Sequence, residues 1–145
     1  MKKDLIRKKL SRIDEYLNKL EPILKRSTSA ITDDDFVLHT LERLMQLIVD
    51  TAIDINTSLI RSEQLRSADD YYNTFVRLGE AKIIDSIFSL QIARSVGLRN
   101  NIVHNYEDMS LTTLIEKVKA NIGDYREYVK QILEFLERST TKAEN

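Results

Sequence analysis

The sequence predicts an all-α protein, an antiparallel bundle of about five helices, on three observations. Apolar residues recur at three- and four-residue steps through most of the chain, the period of a helix with one buried face. Three Gly and one Pro leave little material for the turns and corners of a sheet. No stretch alternates polar and apolar residues as a strand does, and no internal repeat or low-complexity segment interrupts the pattern. At 145 residues the chain can bury a core without disulfides or a structural metal. One domain is expected over residues 1–138, followed by a polar tail, 139–145, that frays.

The first helix is expected over about residues 3–26, where Leu5, Ile6, Leu10, Ile13, Leu17, Leu20 and Leu24 form one stripe and Pro22 kinks or interrupts the last turn. Ser27-Thr28-Ser29 reads as a connection. Thr32 or Asp33 is the expected N-cap of a second helix, with Asp34 and Asp35 favourable beside its positive dipole end. That helix carries Leu38, Leu41, Leu44, Met45, Ile48, Ala52, Ile55 and Leu59 over about residues 34–66. At that length it spans roughly 50 Å. Val49 and Ile53 widen its apolar arc beyond one seam, so a second surface must cover it, and a homodimer is the simplest source of that surface.

A turn and cap at Ser67-Ala68-Asp69-Asp70 precedes a short helix with Tyr71, Tyr72, Phe75, Val76 and Leu78, which Gly79 is expected to end. A fourth helix starts after Asp85 and carries Ile87, Phe88, Leu90, Ile92 and Val96. Gly97 then either caps it or permits close approach of another backbone. Ser110 caps a last long helix with Leu111, Leu114, Ile115, Val118, Ile122, Tyr125, Val129, Ile132 and Leu136 on its inner face.

Composition narrows the function classes. With no Cys, disulfides, thiolate nucleophiles and cysteine metal sites are excluded, which fits a reducing cytoplasm. No apolar run reaches the roughly 18 residues of a membrane span, and the Lys2-Lys3 start lacks a following apolar signal region, so a cytoplasmic protein is expected. A net charge of −1 argues against bulk nucleic-acid affinity, yet residues 1–26 carry nine basic and four acidic side chains. Lys2, Lys3, Arg7, Lys8, Lys9 and Arg12 could follow a phosphate backbone or form a solvated helix face.

The chemistry-bearing stretch is Arg99-Asn100-Asn101-Ile102-Val103-His104-Asn105-Tyr106. It supplies a fixed cation, a proton carrier with an unperturbed pKa of about 6.5 and amide donors, a set suited to phosphate chemistry. On a continuous helix Arg99 and His104 stand about 140° apart, whereas Asn100 and His104 lie within about 40°. Arg99 and His104 would therefore meet one phosphate only if the helix broke near Gly97 or a second subunit supplied the missing group. A composite site across a two-fold axis answers this and agrees with the expected dimer. Other readings of the same residues are open: Arg99 pairing with Glu107 or Asp108, Asn100 and Asn101 satisfying backbone groups at a helix break, Tyr106 packing with a wet hydroxyl. His39 lies early in the second helix without a ligand-spaced partner and reads as structural. No metal cluster, glycosidase-like carboxylate pair or Gly-rich phosphate loop is evident, and no cofactor is expected.

Arg, four residues, His, any residue, Tyr stands here as Arg99…His104-Asn105-Tyr106. Around it are Leu41-Glu42-Arg43-Leu44 leading to Asp54-Ile55, Tyr72…Phe75, and Gly97-Leu98-Arg99-Asn100. In these features the chain resembles the HEPN domains, and within them the HepT-like toxins of HEPN/MNT toxin–antitoxin pairs, over about residues 5–137. The resemblance implies a metal-independent endoribonuclease that acts as a symmetric dimer on RNA. Arg99 and His104 would then be catalytic, with Asn100 and Tyr106 supporting them on the RNA. It also makes Tyr106 the candidate acceptor of AMP from a partner nucleotidyltransferase antitoxin. Two alternatives use the same residues: a non-catalytic HEPN-fold module that binds a nucleotide, RNA or a nucleotidyltransferase, and a helical dimerisation protein in which Arg99 and His104 form an interface network.

Overall fold

The computed structural model describes residues 2–104 and 109–144, with side chains to residue 139. Eight helices run through the described residues: α1 (Lys3–Leu24), α2 (Thr28–Thr32), α3 (Asp35–Ser62), α4 (Tyr71–Glu80), α5 (Ser86–Ala93), α6 (Ser95–His104), α7 (Leu111–Asn121) and α8 (Gly123–Glu144). No strand occurs among them. The expected helical bundle is present, and the larger number of helices comes from α2 in an expected connection, from α6 through the polar stretch after the expected fourth helix, and from division of the last helix into α7 and α8. None of the described helices is long and apolar enough to cross a membrane.

The α1 stripe is buried at Ile6, Leu10, Ile13, Leu17 and Leu20, and Pro22 sits in the last turn, two residues before the helix ends. Ser27-Thr28-Ser29 is not a bare connection. The Ser27 side chain accepts a hydrogen bond from the Ala30 amide and caps α2, a single turn that buries Ile31. The N-cap of α3 is Asp34, whose carboxylate accepts from the amides of Phe36 and Val37 at 3.1 and 3.2 Å. A carboxylate there satisfies orphan amides and faces the positive end of the dipole, which neither Thr32 nor Asp33 does.

Helix α3 is the spine, with α1, α2, α4 and α6 packed on it. Its 28 residues span about 42 Å. It ends at Ser62, four residues before the expected boundary, in a Schellman arrangement. Gln64 takes a φ of 55°, its amide donates to the Arg61 carbonyl, and the Leu65 amide reaches back to the Ile60 carbonyl. The sequence hides this stop because Gln occupies the left-handed position that usually signals itself as Gly. Lys82, with a φ of 61°, ends α4 in the same way. Both Val49 and Ile53 are buried inside this chain, so the width of the apolar arc is accounted for by the chain's own helices.

Gly79 does not end α4. A Cβ at this position would lie 2.0 Å from Ser89 Oγ, so the missing side chain lets α5 cross α4 closely. Gly97 neither caps a helix nor receives a close backbone: it lies inside α6, and an added Cβ would meet nothing within 4 Å. The break falls earlier, at Arg94, where α5 ends and Ser95 Oγ donates to the Ile92 carbonyl and pairs with the Tyr125 hydroxyl, each at 2.7 Å. The expected last helix is likewise two, joined at Ile122 and Gly123. The two halves have different partners, α7 packing on α2 and α6 while α8 packs on α1, and Gly123 is a weak helix former at the joint.

One buried polar network ties three helices. Asn56 of α3 is fully buried, donates to Thr74 Oγ1 of α4 at 3.2 Å and accepts from the Tyr128 hydroxyl of α8. Tyr125 and Tyr128 are wholly enclosed, and burial pushes both phenols above their ordinary range. Among the described residues no buried side-chain polar atom lacks a partner.

Candidate active site

From Ser95 to His104 the chain is one continuous helix, so the candidate residues inherit helical spacing. Arg99 turns inward toward α3. Its Nε donates to Asp50 Oδ1 at 2.7 Å, its Nη1 donates to Asn100 Oδ1 at 3.2 Å, and its guanidinium carbon stands 5.4 Å from the centre of the Tyr71 ring. The side chain is 16% exposed and that of Asp50 35%. Three elements thus fix one guanidinium: a carboxylate from α3, an amide from its own helix and an aromatic face from α4. Nη2 makes no hydrogen bond with a described residue.

His104 is the last residue of α6, and its side chain is exposed. Five positions along a regular helix separate it from Arg99 by about 140°, so the two do not converge within one chain. Asn100 lies between them in role: it shares the His104 side of the helix and its carbonyl oxygen holds the Arg99 fork. Asn101 Nδ2 donates to the Gly97 carbonyl at 3.1 Å, a backbone contact within the helix. Tyr106 lies outside the described residues, as do Asn105, Glu107 and Asp108. The carboxylate that Arg99 finds among the described residues is Asp50, 49 positions away and on a different helix.

Arg99 and Tyr71 close one end of a cleft of about 590 Å³ whose long wall is α3. Asp50, Asp54, Thr57, Ser58 and Arg61 face it from that helix, and Lys9 faces it from α1. The α3 members fall at steps of four, three, one and three, a polar stripe on an otherwise apolar helix. That periodic stripe was the signal available for Asp50 and Arg61, which motif spacing alone passed over. Among the described residues no cluster of three His, Cys, Asp or Glu could hold a metal ion. His39 lies apart from the cleft, its Nδ1 3.2 Å from Glu42 Oε1 on the exposed start of α3.

The profile of the family described as Ribonuclease HepT-like matches residues 13–132. A protein named tRNA nuclease HepT from Aphanizomenon flos-aquae is 33% identical over 139 residues, covering 91% of this chain and 90% of that one. One named mRNA nuclease HepT from Shewanella oneidensis is 24% identical over 132 residues, covering 89% and 96%. Among solved structures, a tri-AMPylated HEPN toxin of Shewanella oneidensis in complex with MNT antitoxin superposes with a TM-score of 0.82. It is 22% identical and is matched over 90% of this chain and 98% of that one.

Proposed function

Since the chain belongs to the Ribonuclease HepT-like family, we propose that it is a metal-independent endoribonuclease toxin that cleaves RNA by attack of a ribose 2′-hydroxyl on the adjacent phosphate. The O2′–P bond forms as the P–O5′ bond breaks, leaving a 2′,3′-cyclic phosphate and a free 5′-hydroxyl. His104 takes the proton of the attacking hydroxyl, and the departing 5′-oxygen gains one from the imidazolium or from water. Arg99 stabilises the charge that builds on the phosphoryl oxygens. Asn100 keeps the guanidinium fork in register with the His104 side of the helix. The observation that carries the reading is the Arg99 guanidinium, held at three points on the wall of a cleft.

Because Arg99 and His104 stand on different sides of α6, the reading requires a homodimer in which Arg99 of one copy works with His104 of the other. Tyr106 is the proposed acceptor of AMP from an MNT-type nucleotidyltransferase antitoxin, a partnership supported by the tri-AMPylated state and the antitoxin complex of the Shewanella toxin. The added phosphate would place negative charge beside the cationic site and oppose RNA entry. The proposed setting is the cytoplasm, where RNA and such a partner meet.

The inward course of Arg99, away from His104, also favours a second reading, a HEPN-fold module that binds RNA, a nucleotide or its partner without cleaving. Cellular RNA incubated with the protein in EDTA separates the two. The ribonuclease reading expects new 2′,3′-cyclic phosphate ends and a loss of about 10²- to 10⁴-fold in rate for His104→Ala. Intact RNA in EDTA, together with growth inhibition that His104→Ala leaves unchanged, would refute it; retained RNA binding without cleavage would select the module.

A further inference from the structure

Helices α1 and α3 pack against each other in opposite directions, so Lys9 lies near Asp50 and Asp54 while Lys2 lies near Arg61 and Ser62. Beyond Arg61 and Ser58 the 590 Å³ cleft continues into a second, of about 340 Å³, bordered by Lys2, Leu5 and Ile6. The shared residues make the two one groove. From Asp50 to Arg61 it follows about 16 Å of α3, and Lys2 and Lys9 stand two turns, about 10 Å, apart on one face of α1. The groove ends at the Arg99 guanidinium.

Its cations come from two segments of the chain. Lys2, Lys9 and Arg61 make no side-chain hydrogen bond or ion pair with any described residue, whereas Arg77 is held by Glu80 and Arg126 by Glu21, Asp14 and Asn18. Asp50 is committed to Arg99, which leaves Asp54 as the groove's uncommitted carboxylate, so positive charge is in excess. Cations lining one groove without a partner among the described residues store an attraction for an extended anion. The most exposed apolar side chains, Phe36 and Ile87, lie outside it, whereas Leu5 and Tyr71 on its wall are about half exposed and leave an apolar and an aromatic surface between the cations.

We infer that this groove is the track for single-stranded RNA beside the scissile phosphate, with Lys9, Arg61 and Lys2 on successive backbone phosphates leading to Arg99. The inference rests on the ribonuclease reading for the meaning of Arg99. Asp54 and Ser58, between the cations, are placed to accept hydrogen bonds from ribose 2′-hydroxyls, the group that distinguishes RNA from DNA. Two of the nine basic side chains of the first 26 residues, Lys2 and Lys9, thereby gain a role that a solvated helix face would not have.

The test is fluorescence anisotropy of a labelled single-stranded RNA across a salt series, every protein used for binding carrying His104→Ala to prevent turnover, with cleavage of the same RNA by the proteins that keep His104 measured in parallel. Lys9→Ala/Arg61→Ala is expected to bind at least tenfold more weakly than the parent, with a salt slope shallower by about 1.4, the amount for two lost phosphate contacts. In cleavage it should raise KM more than it lowers kcat. The charge-matched Lys19→Ala/Lys130→Ala should behave as the parent, and Lys9→Gln/Arg61→Gln, which keeps more of each side chain, should repeat the defect if folding is not its cause. A parent that binds with this signature yet cleaves nothing ends the ribonuclease reading and leaves the groove standing. Cleavage with unchanged KM and salt slope in the double variant ends the groove proposal and leaves the ribonuclease. No RNA binding by the parent overturns the groove, as does a double variant that keeps RNA but loses a co-expressed nucleotidyltransferase.

Discussion

Asp50 has no place in the motif that marks this chain, yet it sets where the motif's arginine points. Its Oδ1 takes the Nε proton at 2.7 Å, Asn100 takes one from Nη1, and Tyr71 lies under the guanidinium, so few orientations of the fork are left. Removing that carboxylate should disorder Arg99 without removing its charge. Asp50→Ala is therefore expected to lower kcat by about 10²-fold with little change in KM, the cost of a misplaced catalytic group. Asp50→Asn, which keeps an acceptor oxygen, should recover part of the loss. Stability should change by only about 1 kcal/mol, because the pair is partly open to solvent. Steady-state cleavage and thermal melts read these separately, and an Asp50→Ala protein with parental kcat would remove Asp50 from the site. The motif placed Arg99 and His104 in view, but the partner of Arg99 could not be read from neighbouring positions: Glu107 and Asp108 are close in sequence, whereas Asp50 is close in space.

At the scale of elements, the three glycines have different physical roles. Gly79 is where α5 crosses α4, and a methyl group there would meet Ser89 Oγ at 2.0 Å and Ser89 Cβ at 2.5 Å. Overpacking of this kind costs about 1–3 kcal/mol, so Gly79→Ala should lower the urea midpoint clearly. Gly97 sits inside α6 with open space around it, and Gly97→Ala should raise stability by about 0.5–1 kcal/mol through lower chain entropy and better helix propensity. Opposite shifts in two urea titrations are the expected result, and a neutral Gly79→Ala would mean that α4 and α5 can separate cheaply. Helix boundaries follow the same logic. The starts at Asp34, Asp70, Asp85 and Ser110 use side-chain oxygens on amides and carry a local signature. The ends at Gln64 and Lys82 adopt positive φ with ordinary side chains, so nothing local announces them.

For the whole molecule, the decisive matter is whether two copies complete one site. Within a chain, Arg99 faces α3 and His104 is exposed on another side of α6. If each site takes Arg99 from one copy and His104 from the other, a mixed dimer of Arg99→Ala and His104→Ala chains regains one intact site. Co-expressed with two tags and purified through both, such dimers should recover up to about half the parental cleavage rate, while either variant alone stays inactive. No recovery in a verified mixed dimer would place both groups in the same chain's site and refute the composite reading. The apolar width of α3 does not bear on this outcome, because α1, α2, α4 and α6 pack on that helix within one chain.

The sequence by itself determined the all-helical class, the spine from about residue 34, four of the five side-chain caps within a residue or two, and the Arg99–His104 pattern with its family resemblance. These are readable because helical periodicity and capping depend on residues three or four positions apart. Only the tertiary structure decided that the break precedes α6 at Arg94, that Asp50 and Tyr71 hold Arg99, and that Lys2, Lys9 and Arg61 converge on one groove. Each of those depends on how helices cross, which is set by packing between segments tens of residues apart and leaves no mark in the local order of amino acids.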